Sequence, residues 1–229
     1  MKISICIPTW EQYGNGVNFL KNNFDKFLTQ TYKNFNVIIS DHSKNDEIKK
    51  LCNLYSNNFE IKYFKYEKLY GNGPANTNSS ILNADGEIIK IMFQDDFFYD
   101  DTSLELISKE FEQEECNWLV NGCNHTNDDG KSFYNYMTPG WNDNIPIGIN
   151  TISSPSVLSF RNDSPCLFDE NLVMLMDCEM YYQLYIRYGL PKIIINCLVT
   201  NRMHKHQISS LYKEDFHSEV NYVKNKHKI

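Results

Sequence analysis

EIIKIMFQDD, residues 87–96, is the stretch on which the fold turns. Its first seven residues are mostly apolar and rich in Ile. A run that short is a strand buried on both faces rather than a helix of ordinary length. It stops at Gln94, Asp95 and Asp96, which places two adjacent carboxylates at a strand end. Open α/β sheets bind ligands beyond the carboxyl ends of their strands. The residues that follow each apolar run are therefore the ones to inspect.

The same pattern repeats upstream. ISICIP (3–8), stopped by Pro8, FNVIIS (35–40) and FEIKYFKY (59–66) read as strands. Between them, Val17, Leu20, Phe24, Phe27 and Leu28 recur at helical spacing over 17–30. Ile48, Leu51, Cys52 and Tyr55 do so over 46–56. YGNGPANTNSS (70–80) leads into a short helix through Ala84, ended by Gly86. Downstream, a helix over 103–115 is capped by Thr102 or Ser103. NWLVNGCN (117–124), 156–160 and 193–199 are strands, and 177–188 is a helix. Residues 127–150 form a long polar loop of the kind that shapes binding sites, and 211–229 a helix or tail. Alternation of this kind predicts an α/β protein with a central, mainly parallel mixed sheet flanked by helices.

The 229 residues fit one domain, with 1–100 and 101–210 as its two halves. Hydrophobic residues make up 41%, enough for a packed core. The net charge of -7 offers no basic face for nucleic acid. No segment approaches the ~20 apolar residues of a membrane span. The short opening run does not read as a signal peptide, so a cytoplasmic protein is expected. Seven cysteines without a CxxC pair are expected as buried, reduced thiols.

Each strand end has two readings. Asp41 can accept from a ribose hydroxyl or a base N–H, or close an Asx-turn. Asp95 and Asp96 can hold Mg²⁺ or Mn²⁺ through hard oxygen ligands, or form a solvated acidic turn. Of Asp177 and Glu179, one can face a cavity as a general base while the other caps the helix N-terminus. Arg202, His204 and His206 can serve a diphosphate or its metal, or lie in a polar loop. Trp141 can stack on sugar rings or simply pack.

Taken in order, ISICIPTW, FLTQTYKNFNVIISDHSKND, GPANTNSSILNADGEIIKIMFQDD, FDENLVMLMDCEMYYQLYIRYG and RMHKHQIS resemble five blocks of the family 2 glycosyltransferases of GT-A fold. The resemblance covers about residues 1–210. It implies a single GT-A domain and an inverting, metal-dependent transferase of the EC 2.4 class. That enzyme would move a sugar from a nucleotide diphosphate, UDP above all, to an acceptor hydroxyl in glycan or polysaccharide synthesis. It implies nucleotide contacts at Pro8, Thr9, Glu11, Asp41, Asn78 and Asp95. Asp96 and His204 would serve Mn²⁺ or Mg²⁺, Asp177 would be the base, and Trp141 and Glu179 would lie on the acceptor side. The sequence departs from the family at Thr77, where an Arg is usual, and at Phe93, where the acidic motif usually begins. A nucleotide-sugar or glycan-binding module without turnover is the competing expectation. A nucleotidyltransferase is disfavoured because EQYGNGVNFL (11–20) carries no Lys or Arg.

Overall fold

A computed structural model describes residues 1–205, 207 and 216–229. Strands β1 (Ile3–Thr9), β2 (Phe35–Asp41), β3 (Glu60–Lys65) and β4 (Ile88–Ile91) alternate with helices α1 (Gly16–Thr29), α2 (Glu47–Tyr55) and α3 (Gly73–Leu82). There follow β5 (Phe97–Phe98), α4 (Ser103–Phe111), β6 (Trp118–Thr126), β7 (Tyr134–Met137), β8 (Leu158–Arg161), α5 (Met176–Tyr188), β9 (Lys192–Arg202) and α6 (Phe216–His227). The strands form one sheet in the order β3-β2-β1-β4-β8-β6-β9-β5, with β7 added beside β6.

Parallel pairs join β3, β2, β1 and β4, and also β6 to β9; β8, β5 and β7 pair antiparallel. The parallel strands are buried on both faces. Ile3, Ile5 and Ile7 of β1, Val37, Ile38 and Ile39 of β2, and Ile88, Ile89 and Ile91 of β4 are all fully buried. Each such side chain contributes about 1.5–3 kcal/mol on burial. Phe24 and Phe27 of α1, also fully buried, form an aromatic cluster with Phe35 and Phe59. The chain builds β1, β2 and β3 outward in one direction and then crosses to place β4 on the other side of β1. That reversal opens a crevice at the carboxyl ends of β1 and β4.

Several local expectations change. Gly86 does not end α3, whose C-cap is Asn83. A Cβ at Gly86 would stand 2.7 Å from the Ser4 amide nitrogen, so glycine is needed there for close approach to β1. Helix α4 stops at Phe111, short of 115. Its cap position is Thr102, but that hydroxyl is spent on Asp100 (2.6 Å). The polar stretch 127–150 contains β7 and a tight turn at Ile145–Ile147. Residues 155–157 are a 3-10 turn rather than strand. The cysteines are free thiols, six of them buried and Cys197 partly so. Among the described residues no helix is long and apolar enough to cross a membrane.

Candidate functional site

Register sets Thr9 and Asp41 side by side at the ends of β1 and β2. Both are buried. The Thr9 carbonyl accepts from the His42 amide (2.9 Å) and from Asn76 Nδ2 (3.1 Å). The Asp41 carboxylate accepts from the Ser43 amide (2.8 Å), the Tyr63 hydroxyl (2.6 Å), the Thr9 hydroxyl (3.4 Å) and Lys65 Nζ (3.4 Å). The Asx-turn is therefore present. A nucleoside reaching this carboxylate would have to exchange with one of these protein donors. Burial and the Asp41 charge push the Tyr63 hydroxyl pKa well up. Pro8 and Glu11 are half-buried, and Glu11 Oε1 accepts from the Lys44 amide.

Gln94 bridges the crevice floor. Its Oε1 accepts from the Trp10 amide (3.0 Å) and its Nε2 donates to the Gly16 carbonyl (2.8 Å). Asp95 and Asp96 follow with different surroundings. Asp95 is partly exposed, and its Oδ2 lies 2.9 Å from His204 Nε2. Asp96 is buried, accepting from the Arg202 amide (3.1 Å) and the Ser154 hydroxyl (3.1 Å). Burial and the neighbouring Asp95 charge raise its pKa, against the pull of those donors. Arg202 is buried beneath the pair. It donates from Nε to the Asp95 carbonyl (2.9 Å), pairs with Asp129, and lies over the rings of Phe19 and Phe97.

The donors here suit a hard divalent cation: two carboxylates of different exposure and one imidazole, with Asp95 and His204 already converging. The Asp96 carboxylate accepts from the Arg202 amide and from the Ser154 and Ser156 hydroxyls, which still leaves lone-pair capacity for a cation. Among the described residues no group of three or more His, Cys, Asp or Glu is gathered as a ready-made cage. His206 lies outside the described residues.

Asp177 stands in the first turn of α5. Its Oδ1 accepts from the Cys178 amide (2.7 Å) and its Oδ2 from Asn150 Nδ2 (2.7 Å). Burial pushes its pKa up to about 6, with those two donors opposing the rise. Asn150 Nδ2 also donates to the Ser153 carbonyl (3.0 Å). The Ser153 hydroxyl accepts from Asn201 Nδ2 (2.9 Å). Asn201 Oδ1 lies 3.0 Å from the Ser154 hydroxyl, which also reaches Asp96. A continuous polar path thus runs from Asp96 through Ser154, Asn201, Ser153 and Asn150 to Asp177. Ser153 sits at φ 110°, a strained conformation for a non-glycine residue, and five hydrogen bonds hold it there.

Other expected site residues lie elsewhere. Asn78 is locked onto the Phe168 backbone, donating to its carbonyl (2.9 Å) and accepting from its amide (2.8 Å). Glu179 does not join the crevice: it is fully buried against α6, paired with Lys226 (2.7 Å) and His227 (2.9 Å). Trp141 stacks on Tyr185 with ring centroids 4.2 Å apart, so one of its faces is taken. Neither acid stands at the N-cap of α5, which is Leu175, although Asp177 accepts from the first-turn Cys178 amide. The sequence reading passed over Asn150, Ser153, Ser154 and Asn201; SSPS at 153–156, small polar residues just before a buried strand, was the available signal.

The sheet, with its reversal of strand order and its acid pair at a strand end, has the GT-A fold. The glycosyl transferase family 2 model matches residues 4–173, and the chain belongs to that family. It is 28% identical over 189 residues to an uncharacterized glycosyltransferase of Rickettsia felis, covering 79% of this chain and 29% of that protein. The chain thus spans less than a third of the length of that relative. Its fold is similar to S. aureus TarS 1–349 in complex with UDP-GlcNAc, with TM-score 0.77 and 18% identity over 99% of this chain and 66% of the other. It is also similar to the mannosyltransferase PcManGT from Pyrobaculum calidifontis in complex with GDP-Man and Mn2+. There the TM-score is 0.61 and the identity 13%, over 94% of this chain and 59% of the other.

Proposed function

We propose that this glycosyltransferase is an inverting enzyme that moves a sugar from a UDP-sugar to an acceptor hydroxyl in glycan synthesis. The observation that carries the reading is the hydrogen-bonded path joining Asp96 to Asp177. It ties the acidic strand end to a carboxyl whose pKa of about 6 suits proton transfer near neutral pH. The partly exposed Pro8 and Glu11 flank the nucleoside, while Thr9 and Asp41 brace the floor beneath it. Asp95, Asp96 and His204 would hold Mn²⁺ or Mg²⁺, which when bound offsets charge on the leaving diphosphate. Arg202, stacked and always charged, adds a fixed positive field beneath the acid pair.

In the reaction the acceptor oxygen attacks the anomeric carbon as the bond from that carbon to the diphosphate oxygen breaks. Asp177 takes the acceptor proton, and Asn150 keeps the carboxylate aimed. One displacement inverts the anomeric centre. That TarS was crystallised with UDP-GlcNAc makes this the first donor to try. Incubating the protein with UDP-GlcNAc and Mn²⁺ is expected to release UDP, and Asp177→Asn to lose that release. A module that binds without turnover is the second reading. Asp41 and Asn78, both already spent on protein groups, favour it. It predicts that UDP protects the fold from heat while no UDP-sugar is consumed.

A further inference from the structure

Helix α5 begins without a cap of its own, because its N-cap residue is Leu175. The backbone leading into it is held from far along the chain. Glu219 of α6 accepts from the amides of Val173 (2.8 Å), Met174 (2.9 Å) and Leu175 (2.8 Å). It is buried, and its two oxygens close three consecutive backbone N–H groups. Asp177 stands two residues beyond this clasp.

A second contact of α6 reaches the other side of Asp177. Gly148 has φ 97°, and a Cβ there would stand 2.4 Å from Phe216 Cζ. Phe216 therefore presses directly on the turn that leads to Asn150, the residue that donates to Asp177 Oδ2. Farther along, Lys226 and His227 bind Glu179, also in the first turn of α5. Helix α6 thus holds both the helix that carries Asp177 and the loop that aims its carboxylate.

We propose that Glu219 is a positioning residue for Asp177, and that α6 is the brace that fixes the geometry of the base. The proposal rests on Asp177 being the base. The Asp177 carboxylate accepts from the Cys178 amide and from Asn150, and the Glu219 clasp fixes the backbone just before it. Displacements of about 1 Å at a reacting group cost on the order of 100-fold in rate. Loosening this clasp should therefore show in turnover before it shows in donor binding.

The test compares UDP release from UDP-GlcNAc with Mn²⁺ in Glu219→Ala, Glu219→Gln and Lys226→Ala, alongside melting temperatures. Glu219→Ala is expected to lower kcat roughly 10–100-fold with donor KM within about twofold. Glu219→Gln, which keeps one acceptor oxygen and the shape, is expected to recover most of the loss. Lys226→Ala loosens α6 at its far end, where His227 still holds Glu179, and is expected to lower the melting temperature with a much smaller loss of kcat than Glu219→Ala. Wild-type kcat in Glu219→Ala would overturn the proposal. So would a kcat loss that simply tracks melting temperature across the three variants. Full turnover in Asp177→Asn would instead overturn the assignment of the base.

Discussion

Asn150→Ala is the perturbation with the most direct reading. Asn150 Nδ2 stabilises the ionised form of Asp177 at 2.7 Å, while burial works against that form. A hydrogen bond to a charged group contributes about 1.5–3 kcal/mol. One pKa unit corresponds to about 1.4 kcal/mol, so losing the bond should raise the pKa by roughly one to two units. Asp177 is partly exposed, and water replaces some of the lost donor, which favours the lower end. A base must be deprotonated to work, so activity rises as pH climbs through its pKa. The wild-type acid limb of kcat is expected near pH 6. In Asn150→Ala it should move toward 7, in the alkaline direction. The assay is UDP release at saturating donor and Mn²⁺ from pH 5 to 9. A limb that stays put, or moves to lower pH, refutes the pairing of Asn150 with the catalytic carboxylate.

Lys90 offers a stability test. It is fully buried in β4, its Nζ reaching Asn121 Oδ1 (3.3 Å) and the Ser156 carbonyl, and burial lowers its pKa to about 7. The penalty for its charge is full below that value and fades as pH rises toward the unfolded lysine value. The urea midpoint should therefore climb between pH 7 and 9 in the wild type, and that climb should vanish in Lys90→Met. Gln94→Ala strips the partners from the Trp10 amide and the Gly16 carbonyl at a nearly buried position. It should cost about 2–3 kcal/mol in urea unfolding; a loss below ~0.5 kcal/mol would mean the bridge is dispensable.

The sheet was readable because its central strands are buried on both faces and so carry unbroken apolar runs, as in ISICIP and NVII. β5, two residues long, and β7, with three of its four residues exposed, leave no such periodic signal. Lys90 was visible inside a strand, but its buried ammonium follows only from β1 and β8 closing on either side. The candidate acids were legible at strand and helix ends. Their partners were not, because Asn150 reaches Asp177 from 27 positions away and the Arg202 amide reaches Asp96 from 106, while Glu219 holds the backbone before Asp177 from 44 to 46 positions away, across the fold. Glu179 looked like a site residue beside Asp177, yet two positions along a helix turn it to a different face, toward α6.

The most direct measurement is UDP release from UDP-GlcNAc by wild type, Asp96→Asn and Asp177→Asn, each with Mn²⁺ and after chelation with EDTA. Wild type should turn over with Mn²⁺ and stop after chelation. Both variants should lose on the order of 100-fold or more in kcat, as removal of a catalytic group does, while retaining a folded melting transition. Turnover at wild-type rate in either variant, or undiminished turnover in EDTA, would contradict the account.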